Sequence, residues 1–266
     1  MINTLVSQQH RWKVFSLYSH EEDDSPYFPI FDLTNMPMLT TLFLICGGNT
    51  KAFIDAGQSP KLKRVRIEGG FELVASKALP LQLTLPSVLK LRLGCLEKSA
   101  IRSCLDFLEA TPLLEEIHIN FAGNASAPDT LRSENRLLLP RLRCLRLENY
   151  IGPELVLDNP SLKALELIES RHGQPLVSFF QRSSPLLTFL HLGGAFIPED
   201  TVIKILRLLP TLQEFRYERA RVSARFFQEL TITNNATGNT RIVYPALETL
   251  FFYATGFCFW RIGGRA

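Results

Sequence analysis

Apolar and polar positions alternate along this chain in one phase that returns again and again. In "PRLRCLRLE", residues 140–148, aliphatic residues stand at the second, fifth and seventh places after the proline, and polar residues fill the fourth, sixth and eighth. The same pattern begins at Pro37, Pro60, Pro86, Pro112, Pro140, Pro160, Pro185, Pro210 and Pro245. Alternation over the fourth to eighth places predicts a short strand with two apolar side chains on one face and three side chains on the other. The second-place aliphatic packs on the core side from the turn that leads in. Proline suits that turn, because its φ is fixed and its missing N–H falls before the strand ladder starts. Between strands, 101–112, 175–185, 200–210 and about 223–230 carry apolar residues at helical spacing and predict short amphipathic helices. The segment "NYIGPELVLDNP" (149–160) is too short for a helix and predicts an extended return, and "TITNNATGNT" (231–240) predicts a surface loop.

The nine prolines span 208 residues in eight steps, an average of 26 per copy, inside the roughly 20–29 residues of a leucine-rich repeat. A degenerate tenth copy opens the series, with Trp12, Phe15 and Leu17 at the apolar places and His10 where proline would stand. One such unit cannot bury its apolar row alone. Stacked copies fuse the rows into a continuous core, so the expected fold is α/β: a solenoid or horseshoe with a parallel inner sheet of nine or ten strands and short helices or extended segments outside. The expected organisation is one domain, 1–266: an N-terminal degenerate repeat and acidic loop (1–36), nine repeats (37–253) and an irregular tail (254–266). Glycine pairs at 47–48, 69–70 and 193–194 follow strands, where a tight turn often needs φ > 0.

Composition narrows the function classes. Forty-six per cent hydrophobic and 21% charged residues are ordinary for a soluble protein, and a net charge of +3 is too slight to argue for nucleic acid. Apolar runs stop short of the roughly 18 residues that span a bilayer, and the first residues lack a signal-peptide pattern, so no membrane and an intracellular, cytoplasmic or nuclear, location are expected. Five cysteines without a CxxC pair suggest reduced thiols rather than a disulfide framework or a zinc ribbon. No nucleophile-elbow, zinc-protease or phosphate-loop motif occurs, so no catalytic residue, cofactor site or metal site is predicted, and an enzyme is not expected. His118 and His191 stand three rungs apart, roughly 14 Å at about 4.8 Å per strand, too far to share a metal.

The strings "LPSVLKLRL", "TPLLEEIHI" and "NPSLKALEL", with "HRWKVFSLY" at 10–18, resemble the irregular leucine-rich repeats of fungal F-box proteins over roughly residues 10–253. That resemblance implies a substrate-recognition domain that presents a target protein to a ubiquitin ligase. The helical F-box itself would stand upstream of Trp12, where eleven residues are too few for it, so a Skp-type adaptor is expected only where such a module precedes the chain. A free-standing protein-binding scaffold and a truncated gene product without its own function are the competing readings.

The binding surface follows from the register. The fourth, sixth and eighth places form the face expected to be concave, with six basic and six acidic residues in total. Arg64, Arg66, Lys90 and Arg92 cluster on two successive rungs with Glu68 as their acidic neighbour there. Guanidinium forks pair bidentately with carboxylate or phosphate, so this quartet is expected to take an acidic or phosphorylated segment of a target protein. His118, Arg146, His191, Arg216, Phe251 and Tyr253 complete the candidate face. The chain is expected to act as a monomer.

Overall fold

The computed structural model describes residues 9–19, 36–46, 59–68, 87–96, 108, 111–122, 137–149, 157–169, 174–194, 197–218, 222–230, 233–234, 240–241, 244 and 246–253. Ten parallel strands make up a solenoid sheet in chain order. They are β1 (Val14–Ser19), β2 (Thr41–Cys46), β3 (Arg64–Glu68), β4 (Lys90–Leu96), β5 (Glu116–Phe121), β6 (Cys144–Glu148), β7 (Ala164–Ile168), β8 (Phe189–Gly193), β9 (Glu214–Glu218) and β10 (Thr249–Tyr253). The chain clusters into two compact units, residues 1–132 with 137–142 and residues 133–136 with 143–266. The first holds β1 to β5 and the second β6 to β10.

Seven of the ten strands begin the same way. Leu39, Leu62, Leu114, Leu142, Leu162, Leu212 and Leu247 donate their N–H to the carbonyl of the residue before the motif proline, at 3.0–3.2 Å. Proline is therefore the second residue of a four-residue β-turn, where its fixed φ is pre-set. One place after the apolar residue of each lead-in, a leucine except at Trp12 and Val88, a carbonyl accepts two N–H groups from the next rung. In the first unit Lys13, Thr40, Lys63 and Leu89 act this way, and in the second Arg143, Lys163, Thr188 and Gln213 do, all at 2.8–3.2 Å. Within each unit this doubled bond pins the start of each strand to its neighbour and opposes the one-residue slip that would turn the apolar row outward; between β4 and β5 the register shifts only beyond Leu93.

The in-and-out alternation follows. In the first unit Leu42, Leu44, Val65, Ile67, Leu91, Leu93, Ile117 and Ile119 are buried. In the second unit the same two places hold Leu145, Leu147, Leu165, Leu167, Leu190, Leu192, Phe215, Tyr217, Leu250 and Phe252, all buried. At seven rungs the residue before the proline is buried as well, Met36, Ser59, Thr111, Leu139, Asn159, Leu209 and Tyr244, whereas Ser184 before Pro185 is exposed. The spacing pattern does not predict that place, because its occupants share no chemical type; the turn, rather than the strand, drives it inward.

The second unit also carries the helices α1 (Gln174–Ser183), α2 (Glu199–Arg207) and α3 (Ala224–Leu230), close to the predicted bounds. Val202, Ile205 and Leu206 of α2 are buried, as the i, i+3, i+4 spacing requires. Near its last rung the core turns aromatic: Phe226 lies 5.7 Å from Phe252 and 6.2 Å from Tyr217, ring centre to ring centre. Tyr217 donates its hydroxyl to the Ile197 carbonyl at 3.0 Å, and burial pushes its pKa up to about 12. The predicted helix at 101–112 lies outside the described residues except for Leu108, which is helical, and Thr111 and Pro112. Leu157–Asp158 is extended, as expected for the short return, and Thr233–Asn234 pairs antiparallel with Thr240–Arg241 inside the predicted loop. Gly194 has φ +61°, and Asn149 and Glu169, at the same ninth place after their prolines, have φ 56° and 55°. At these three exits in the second unit the chain takes the left-handed region whatever residue occupies the place, whereas Cys46, Cys95 and Phe121 at the ninth place in the first unit continue the strand. The N-terminal degenerate copy is a full rung: β1 pairs with β2 from Val14↔Thr41 to Ser19↔Cys46, and Trp12 stacks on Phe15 at 5.2 Å. The pairs at 47–48 and 69–70, the acidic loop and the tail 254–266 fall outside the described residues.

Candidate functional site

The strand register assembles the polar face into columns. In the first unit Phe43, Arg66, Arg92 and His118 stand side by side at the sixth place, and Thr41, Arg64, Lys90 and Glu116 at the fourth. The eighth place pairs Glu68 with Gly94. A Cβ at Gly94 would lie 2.7 Å from Glu68 Cγ, so glycine leaves the space into which Glu68 leans. From there Glu68 Oε1 meets Arg66 Nε at 2.8 Å and Arg92 Nε at 2.8 Å, while Arg66 Nη2 donates to Oε2 at 3.1 Å. Two arginines on neighbouring rungs therefore converge on one carboxylate. The hydrogen bond from Arg66 holds Glu68 below the usual carboxylate range against its partial burial, and the charge of Arg92 adds to this.

Lys90 Nζ lies 2.6 Å from Glu116 Oε1 on the following rung, so the quartet has a second acidic neighbour that rung-by-rung reading of the two basic rungs does not bring in. Arg64 is exposed. Over β3 to β5 the face carries Arg64, Arg66, Lys90 and Arg92 against Glu68 and Glu116: four minus two, a surplus of two positive charges. The register places the four basic residues on two neighbouring rungs, as the spacing predicts, and makes Glu68 the common anchor of Arg66 and Arg92, a detail the spacing does not give. A glycine in the neighbouring rung at the same place as a glutamate was the available signal.

In the second unit the sixth place carries Arg146, Glu166, His191, Arg216 and Phe251. Arg146 donates to Glu148 Oε1 at 2.6 Å through Nη2 and at 2.8 Å through Nε, and to Glu166 Oε2 at 3.2 Å through Nη1. His191, 9% exposed, lies between Glu166 Oε2, 3.5 Å from Nδ1, and Glu218 Oε1, 3.0 Å from Nε2. Glu166 is held below the usual carboxylate range, chiefly by its hydrogen bond with His191, against partial burial, with help from Arg146. Arg216 donates Nε to Glu214 at 2.6 Å, and its guanidinium sits 5.2 Å from the Phe189 ring centre and 5.1 Å from that of Phe251. Both ring faces are close enough for cation–π attraction. Tyr253 ends the column beside it, 41% exposed.

The candidate residues thus fall into two sets. Arg64, Arg66, Lys90, Arg92 and His118 share the first unit's face; Arg146, His191, Arg216, Phe251 and Tyr253 share the second's. Among the described residues no group of three or more histidine, cysteine or carboxylate side chains is placed to hold a metal ion. Among them, too, no helix is long and apolar enough to cross a membrane. No family model matches the chain, and no curated protein is significantly similar to it.

Proposed function

We propose that the chain is a protein-binding repeat domain, and that the face of β3 to β5 captures an acidic or phosphorylated segment of its target. The observation that carries this reading is the convergence of Arg66 and Arg92 on Glu68 with two positive charges left over nearby. Through Glu68 both guanidinium groups are held by their Nε edges, so less side-chain freedom is lost when an anion arrives at the remaining donors. Arg64 and Lys90 lie one register place away on the same two rungs, inside one Debye length of roughly 8 Å, and act with the pair on one ligand.

The F-box resemblance extends this reading. A chain of this kind, joined to a Skp-binding module, selects a substrate for ubiquitin transfer; without the module it is a scaffold that holds the same target. Reversing two charges, Arg66→Glu with Arg92→Glu, separates capture from folding, because outward strand residues carry little of the core energy. Affinity capture from lysate with wild type and double mutant, at low and moderate salt, is expected to lose a salt-sensitive set of acidic proteins in the mutant. An identical captured set would remove the quartet from the mechanism.

A further inference from the structure

The second unit's face has the opposite balance. Arg146 and Arg216 stand against Glu148, Glu166, Glu214 and Glu218: two minus four, a surplus of two negative charges with histidine neutral. The surplus is not spread evenly. Arg146 meets Glu148 and Glu166, and Arg216 meets Glu214, whereas among the described residues no lysine or arginine ion pair reaches Glu218.

Three further features sit at this carboxylate. His191 Nε2 lies 3.0 Å from Glu218 Oε1 yet outside hydrogen-bond geometry, so a buried ring nitrogen faces Glu218 without completing a hydrogen bond. Gly193, two residues on, leaves room for these side chains to close over it: a Cβ there would lie 2.7 Å from Ile168 Cδ1, 3.1 Å from His191 Nε2 and 3.2 Å from Glu218 Oε2. The carboxylate of Glu218 therefore leans across the glycine toward the imidazole, with Glu166 on the far side of the ring and the Glu218 side chain still 34% exposed. Beside it runs an aromatic wall, Phe189 and Phe251 either side of Arg216, with Tyr253 at its open end.

We infer that this face is a second binding surface, selective for a basic polypeptide segment, with a lysine or arginine of the partner reaching the partly exposed carboxylate of Glu218 from the solvent side. The carboxylate supplies the countercharge, and the aromatic wall supplies stacking surface that suits a guanidinium or an aliphatic stem. Arg216 between the two phenyl rings shows within the protein itself how a cation is held there. The inference rests on the reading that the polar face binds protein, but it concerns different residues and a partner of opposite charge.

The test uses the full chain and two short labelled peptides of equal length, one alternating arginine with glycine and one alternating glutamate with glycine. The basic peptide is expected to bind saturably, more weakly as salt rises, and about tenfold more weakly to Glu218→Gln. Arg66→Glu with Arg92→Glu should leave basic-peptide binding no weaker while it removes acidic-peptide binding. Tyr253→Ser, at an exposed position, provides a second variant if Glu218→Gln fails to fold, and is expected to weaken the basic peptide several-fold. Absence of saturable binding by the basic peptide would overturn the inference, as would equal binding to wild type and both second-unit variants. Loss of the acidic peptide's binding alone, with the basic peptide behaving as described, would strike only the first-unit reading.

Discussion

The same repeat, in the same register, is filled differently in the two units. At the sixth place the first unit stacks Arg66 on Arg92, and one glutamate anchors both; at that place the second unit interleaves Arg146, Glu166, His191 and Arg216, with Glu166 between Arg146 and His191 and the other three each beside a carboxylate. The backbone is indifferent to this choice, because fourth-, sixth- and eighth-place side chains leave the sheet on the side away from the core. What the difference teaches is that the doubled carbonyl bond and the turn leucine set the frame, and the face is free to be written for a ligand. Cores differ as well, mostly aliphatic in the first unit, where Phe121 is the aromatic among the described buried residues, and increasingly aromatic toward β10, where α3 closes over Tyr217 and Phe252.

The largest expected effect lies in the frame, and it should not distinguish the units. Leu91→Ala in the first and Leu145→Ala in the second, both 2% exposed, are each expected to cost about 2–5 kcal/mol in chemical denaturation, the usual range for a buried leucine truncation. Arg146→Ala, next in sequence to Leu145 but on the polar face, should cost about 1 kcal/mol at most, since its side chain is 42% exposed and its carboxylate partners remain partly solvated. Equal losses for Leu145 and Arg146 would break the alternation on which the comparison stands.

Glycine at the eighth place should separate the units. Gly193→Val drives a side chain into Ile168, His191 and Glu218 together, and roughly 1–3 kcal/mol of destabilisation is expected from overpacking. At Gly94 the obstructing atoms belong chiefly to the flexible Glu68 side chain, so Gly94→Val should cost less stability and instead detach Glu68 from Arg92. Thermal melts of the two variants side by side check the order.

Acid and alkali sharpen the contrast further. Glu68 and Glu166 have pKa values lowered in the folded state, so each contributes stability that is present above its unfolded value near 4.5 and is lost as pH falls through the folded one. One carboxylate of this kind belongs to each unit, and both units should weaken in acid. Tyr217 is raised from 10.0 to about 12, so its contribution is whole below pH 10 and lost as pH climbs toward 12. Tyr217 belongs to the second unit. Hydrogen exchange across a pH series is expected to show a loss of protection in β9 and α2 above pH 10 that β2 to β4 do not share. The smallest effect belongs to Arg64→Ala, an exposed residue, whose stability change should stay within about 0.5 kcal/mol while acidic-peptide binding falls.

Much of this frame was legible in the chain itself. Nine prolines in phase fix the turn, the second-place leucine and the two inward places, because steric and packing demands repeat at every rung. Three of the four predicted helices match α1, α2 and α3 to within a few residues. The buried place before seven of the prolines was not legible, since Met36, Ser59, Thr111 and Asn159 have no common chemistry and are recruited by the turn. Glu68 and Gly94 were each read as separate face residues. Their partnership needs two rungs 26 residues apart to be in register, and only the parallel ladder supplies that. Glu116 escaped as the partner of Lys90 for the same reason.

One frame thus presents two faces of opposite charge to different ligands. Photo-crosslinking tests it most directly, with the acidic and basic peptides carrying the same photoreactive group and the attachment sites read by mass spectrometry on the intact chain. The acidic peptide should attach within β3 to β5, and the basic peptide within β8 to β10. Attachment of both peptides to the same strands, or of either one mainly outside the polar face, would contradict it.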